Sequence, residues 1–115
     1  MCGQRAAVVV YRGRAPRRPR TSTGALVVRV SPADSGLMPP DGPVRVVRTA
    51  GGGSPQLVPL SRQVGATGPL PAGRYVLEAT GAGYRPRRFI VAVRPGTTDT
   101  VHFRLAAMCV RRASR

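Results

Sequence analysis

Arg74-Tyr-Val-Leu-Glu-Ala-Thr80, Arg87-Arg-Phe-Ile-Val-Ala-Val93 and Thr100-Val-His-Phe-Arg-Leu105 decide the fold. In each, the larger apolar residues recur at every second position: Tyr75, Leu77 and Ala79, then Phe89, Val91 and Val93, then Val101, Phe103 and Leu105. That period is the mark of a strand with one buried face. Turn chemistry separates the runs, with Gly68-Pro-Leu-Pro-Ala-Gly73, Gly81-Ala-Gly-Tyr-Arg-Pro86 and Arg94-Pro-Gly-Thr-Thr-Asp99 preceding them in order. Tyr75 reads as a core residue and Tyr84 as the corner residue that pins its turn.

The same pattern extends upstream. Leu26, Val28 and Val30 alternate with Val27 and Arg29, and Val44 and Val46 alternate with Arg45. Between them lie Ser31-Pro-Ala-Asp-Ser-Gly36 and Pro39-Pro-Asp-Gly42, both turn-forming. After the Gly51-Gly-Gly-Ser-Pro55 turn, Gln56-Leu-Val-Pro-Leu60 suits only an edge strand, because Pro59 has no N–H for a ladder. The chain has 115 residues, one domain's worth, and its 42 % apolar content excludes a wholly disordered chain. Aromatics make up 4 % with no Trp, so the core is aliphatic. With 14 Gly and 12 Pro, long helices are broken and a helical bundle is excluded. The expectation is an all-β sandwich over 24–105, flanked by a basic N-terminal arm over 1–23 and a short basic C-terminal tail over 106–115. Ala6-Ala-Val-Val-Val-Tyr11 suits a short added strand, on this chain's own sheet or on a neighbour's.

The order Gly24-Ala-Leu-Val-Val-Arg-Val30, Gly42-Pro-Val-Arg-Val46, Leu70-Pro-Ala-Gly-Arg-Tyr-Val-Leu77, Gly83-Tyr84 and a closing strand after Arg94-Pro-Gly96 resembles the carboxypeptidase-regulatory-like and PEGA group of small domains. The resemblance spans residues 24–105 and implies an Ig-like or transthyretin-like sandwich that serves in binding or scaffolding. Related pilin and adhesin repeats weld their strands through a Lys–Asn isopeptide bond. This sequence has neither Lys nor Asn, so an adhesin role loses that support.

Charge sets the second bound. Nineteen basic residues, all Arg, face four acidic ones, for a net of +15. A codon bias toward Gly, Pro, Ala and Arg explains Arg in place of Lys but not the scarcity of Asp and Glu. The excess calls for an anionic partner, and the planar guanidinium fork binds carboxylate or phosphate bidentately. The charge is uneven: residues 1–23 and 106–115 carry nine Arg and no acid, whereas 24–105 carry ten Arg and all four acids.

Acid–base chemistry is scarce. Asp34, Asp41, Glu78, Asp99 and His102 are the whole stock besides Cys2 and Cys109, and no pair has a metal-ligand spacing. Asp99 and His102, three apart, fall on opposite faces of a strand, and His102 reads as a solvated surface residue. Thr97, Thr98 and Thr100 stand nearby without any mark of activation. Gly81-Ala-Gly83 has no helix after it and reads as a turn, not a nucleotide loop. We expect no enzyme activity, no cofactor and no metal.

No stretch approaches the roughly 20 apolar residues of a membrane span, and no export-type apolar region follows Arg17-Arg18. The expectation is a cytoplasmic protein, soluble or peripheral on the cytoplasmic face of a membrane. Cys2 and Cys109 suit either a staple between the ends or free thiols, and the lack of a signal-like stretch favours thiols.

Two clusters carry the functional reading. Arg12-Gly-Arg-Ala-Pro-Arg-Arg-Pro-Arg20 is kept out of a helix by its prolines and splays Arg12, Arg14, Arg17, Arg18 and Arg20 from an extended arm. Arg85-Pro-Arg-Arg88 places Arg85, Arg87 and Arg88 together at one end of the sandwich, and Arg111 and Arg112 add the tail. The expected function is a non-catalytic accessory or assembly subunit. It would dock by these arms onto a larger complex, at an acidic protein or an anionic cytoplasmic membrane surface. Nucleic-acid binding through phosphates is the alternative, disfavoured because the strands offer no run of exposed aromatics for base stacking. On this reading the arms carry the binding, and residues 1–20 could be removed from a domain whose strands begin at Gly24.

Overall fold

The computed structural model describes residues 5–15, 21–33, 40, 42–49 and 54–108. They form nine strands and no helix, so none is long and apolar enough to cross a membrane. The strands are β1 (Ala7–Tyr11), β2 (Thr23–Pro32), β3 (Val44–Arg48), β4 (Gln56–Val58), β5 (Val64–Ala66), β6 (Leu70–Pro71), β7 (Gly73–Ala79), β8 (Arg87–Val93) and β9 (Thr98–Leu105).

Two sheets face each other across an aliphatic core, the all-β sandwich that the alternation predicts. The first has the order β1-β9-β2-β5, with β6 also on β2, and the second the order β4-β3-β7-β8. The second is antiparallel throughout, and β4 lies at its edge as Pro59 requires. In the first, β2 and β9 run parallel from Ala25 opposite Thr98 to Pro32 opposite Leu105. Alternation then aims Leu26, Val28 and Val30 of β2 and Val101, Phe103 and Leu105 of β9 inward, where all six are buried. Val44 and Val46, Tyr75 and Leu77, and Val91 and Val93 meet them from the second sheet. Tyr75 is core, with its hydroxyl donating to the Pro71 carbonyl at 2.6 Å, and Tyr84 is buried at its corner with its N–H on the Gly81 carbonyl.

The ends of the described chain are tied in more closely than an arm and a tail. β1 pairs antiparallel with β9 of its own sheet, Val8 opposite Phe103 and Val10 opposite Val101, and both valines pack on the core. Beyond β1, the Gly13 N–H donates to Asp99 Oδ1 at 2.6 Å, and Arg94 Nη2 donates to the Gly13 carbonyl at 2.9 Å. Arg94 also reaches Asp99 Oδ1 at 3.4 Å, so one buried carboxylate orders both a backbone amide and a guanidinium. Gly13 is needed for this approach, because a Cβ there would overlap the Thr98 carbonyl oxygen. The strands therefore begin at Ala7 and not at Gly24. Removing residues 1–20 would strip an edge strand from the core and leave the Asp99 carboxylate without its amide. At the other end, Met108 N–H donates to Gly83 O and Arg85 N–H to Ala106 O, so residues 106–108 dock on the Gly-Tyr corner. Cys2 and Cys109 lie outside the described residues.

Asp99→Ala is expected to cost about 1.5–3 kcal/mol, the range for hydrogen bonds to a charged group. Asp99→Asn should cost less, because its amide oxygen still accepts from Gly13. Urea unfolding of the full chain measures both, and equal midpoints for Asp99→Ala and the natural chain would show that the anchor holds nothing.

Candidate functional site

The outer face of the second sheet is built by register. Alternation leaves Arg45 and Val47 of β3, Val76 and Glu78 of β7, and Arg88 and Ile90 of β8 pointing away from the core. Pairing aligns Leu57, Arg45, Glu78 and Arg88 in one row across four strands, and Val47, Val76 and Ile90 in the next. Between them a shallow groove of about 360 Å³ forms, floored by Val47 and Val76. Arg45, Glu78 and Arg88 line it, and Arg48 and Thr49 at the end of β3 complete it.

Three guanidiniums and one carboxylate leave this groove positive. Arg88 Nε meets Glu78 Oε2 at 3.0 Å, but the Arg88 side chain is 74 % exposed. An ion pair so open to solvent is worth less than about 1 kcal/mol, so an incoming carboxylate competes for Arg88 at small cost. Arg48 spends one N–H on the Ala72 carbonyl, at 3.3 Å. Leu57 and Ile90, both large and well exposed, extend the apolar floor toward the two edges of the sheet.

The predicted site residues fall in several places. Arg12 and Arg14 are exposed on either side of the anchored Gly13, so the domain itself holds them out. Arg17, Arg18, Arg20, Arg111 and Arg112 lie outside the described residues. Arg85, Arg87 and Arg88 are all exposed but do not share one face. Arg88 lines the groove, Arg87 has the opposite strand parity, and Arg85 sits against residue 106. Arg45 and Arg48 were not singled out from sequence. The outward position of Arg45 could be read from the alternation of β3, but Arg48 has the inward parity and is exposed only because the strand ends there, and meeting Arg88 required the pairing through β7.

Asp99 and His102 take opposite faces of β9, as their spacing implies: Asp99 is buried inward and His102 turns outward. His102 is not simply solvated, however. It is half-buried, with Nε2 at 2.8 Å from Ser31 Oγ. Burial, then Arg104 and Arg29, push its pKa below the ordinary 6.5. Among the described residues no three of His, Cys, Asp and Glu gather as metal ligands would. Comparison with family models, with curated proteins and with solved structures finds no match to the chain.

The His102 shift has a signed consequence for stability. The unfolded chain takes up the imidazole proton at higher pH than the folded one, so folding stability rises with pH across this window. It is expected to decline as pH falls through about 6.5 and to level off below the lowered folded-state value. His102→Gln should remove that slope. Urea midpoints measured across the imidazole range check this, and an unchanged slope in the variant would assign it elsewhere.

Proposed function

We propose that this chain is a non-catalytic accessory or assembly subunit that docks onto an acidic protein surface of a larger complex. One observation carries the reading. Both described acids are already held by arginines, Glu78 by Arg88 and Asp99 by Arg94. Eleven of the thirteen described arginines are left with no carboxylate partner among the described residues. Such an unbalanced surface favours association with a negative partner and raises the encounter rate.

The groove favours protein over phosphate as that partner. Its Val47 and Val76 floor, with Leu57 and Ile90 exposed beside it, suits apolar side chains ringed by carboxylates, as in ordinary protein interfaces. A nucleic-acid strand held through its bases as well as its phosphates would need successive exposed rings for stacking. Tyr75 and Tyr84 are buried, which leaves Tyr11 as the exposed tyrosine. Arg12, Arg14, Arg85 and Arg87 add contacts around the groove's domain, and Arg17, Arg18, Arg20, Arg111 and Arg112 belong to the same proposal. The kinship with carboxypeptidase-regulatory-like and PEGA domains is also proposed, supported by the strand over 73–79 and the Gly83-Tyr84 corner. A cytoplasmic setting, at or near a membrane-associated assembly, completes the reading.

Binding of the full chain to a Glu-rich peptide carrying Leu and Phe, to phosphatidylglycerol vesicles and to a single-stranded oligonucleotide tests this at two salt concentrations. The peptide is expected to bind most tightly at the higher salt, since its apolar contacts are not screened. Arg45→Ala with Arg48→Ala should weaken it about tenfold, roughly 1.4 kcal/mol. If the vesicles or the oligonucleotide bind more tightly at both salts, a lipid or nucleic-acid partner replaces this reading.

A further inference from the structure

The other outer face, on the first sheet, carries a separate cluster. β2 and β9 run parallel, with Arg29 opposite His102 and Ser31 opposite Arg104. All four side chains have outward parity, so they form a two-by-two square. Its sides are about 4.8 Å between strands and about 6.6 Å along them. Arg29 and Arg104 are exposed, and Ser31 Oγ touches His102 Nε2.

We propose that Arg29, Ser31, His102 and Arg104 bind a small tetrahedral oxyanion of the phosphate or sulfate class. Two guanidiniums flank one imidazole here without an opposing charge among the described residues. On the β1 side the square is bordered by Ala7 opposite Arg104 and Val9 opposite His102, with Tyr11 one row away. On the β5 side Val64 stands opposite Arg29, and along the strands Val27 and Thr100 follow. Of the described acids, Asp99 points into the core and Glu78 lies on the other sheet. An oxyanion above the square relieves the repulsion and accepts from both forks, which match its oxygens in geometry.

Ser31 links this binding to a proton. When the imidazole is neutral, the hydroxyl can spend its proton on Nε2. When His102 is protonated, both ring nitrogens donate, Nε2 to Ser31 Oγ, and the hydroxyl proton is free to turn to the anion. The site then gains one positive charge and one donor together. By reciprocity, an anion that binds the protonated form tighter must hold the proton more firmly. Burial first, and then Arg104 and Arg29, lower the His102 pKa, in keeping with two guanidiniums beside the ring.

His102 is the chain's single histidine, so one set of imidazole resonances reports on the site. The experiment titrates the full chain by NMR in sulfate, which stays dianionic across the imidazole range, and in chloride at equal ionic strength. Sulfate is expected to bind about tenfold tighter below the His102 pKa than above it, and so to raise that pKa by about one unit at saturation. In the double variant Arg29→Gln with Arg104→Gln, both exposed positions, the chloride value should rise as repulsion is lost and the sulfate response should disappear. O-Phosphoserine and phosphatidic acid vesicles then distinguish the sources of the phosphate: a shift with phosphoserine supports the small-anion site. Coincident curves in sulfate and chloride, a sulfate shift kept by the double variant, or a shift with vesicles alone would each overturn it.

Discussion

The parallel pairing of β2 with β9 brings together the first and last long strands of the domain, and each remaining part of the first sheet is attached to one of them. β1 lies on the free side of β9, and β5 and β6 lie on the free side of β2. The pairing closes a long loop, an entropic cost that local turns avoid. The return is six fully buried side chains on adjacent strands, all large and aliphatic except Phe103. The second sheet, a run of antiparallel neighbours, packs on the surface that this pair creates.

What was legible in the sequence follows from what alternation encodes. β2, β3, β7, β8 and β9 each carry apolar residues at every second position, so their existence and buried faces could be read directly. β5 could not. Its turn is Arg62-Gln63, both at positive φ, without the Gly or Asn that usually marks such a hairpin. The strain is offset from a distance, by the Gln63 amide on the Val30 carbonyl and the Gln63 carbonyl on the Val30 N–H. Nothing local in the sequence announces that. β1 was visible as an apolar run, but its destination depended on a glycine-to-aspartate contact across most of the chain's length.

The candidate sites show the same division. Charge counts foretold an excess of arginine, and the structure shows that the two described acids, Glu78 and Asp99, are each held by an arginine of the domain. Spacing along the chain was a poor guide to which arginines meet. Arg87 and Arg88 are neighbours in sequence and opposite in parity, whereas Arg45 and Arg88 are distant and share a row through Glu78. Strand pairing, not sequence proximity, distributes the charge over two faces, each with its own apolar companions.

β8 has β7 as its only strand neighbour among the described residues, and its outer backbone edge is seven residues long. Phe89-Ile-Val-Ala-Val93 along it contains no charge and no proline, and Ile90 is 59 % exposed. Uncovered edges of this kind template pairing with another chain. Two copies that met edge to edge would bring together two net charges of +15, and that mutual repulsion opposes the pairing. Polyanions or high salt screen the repulsion without covering the edge, so the conditions that neutralise the surface are also those that favour pairing of two copies through β8.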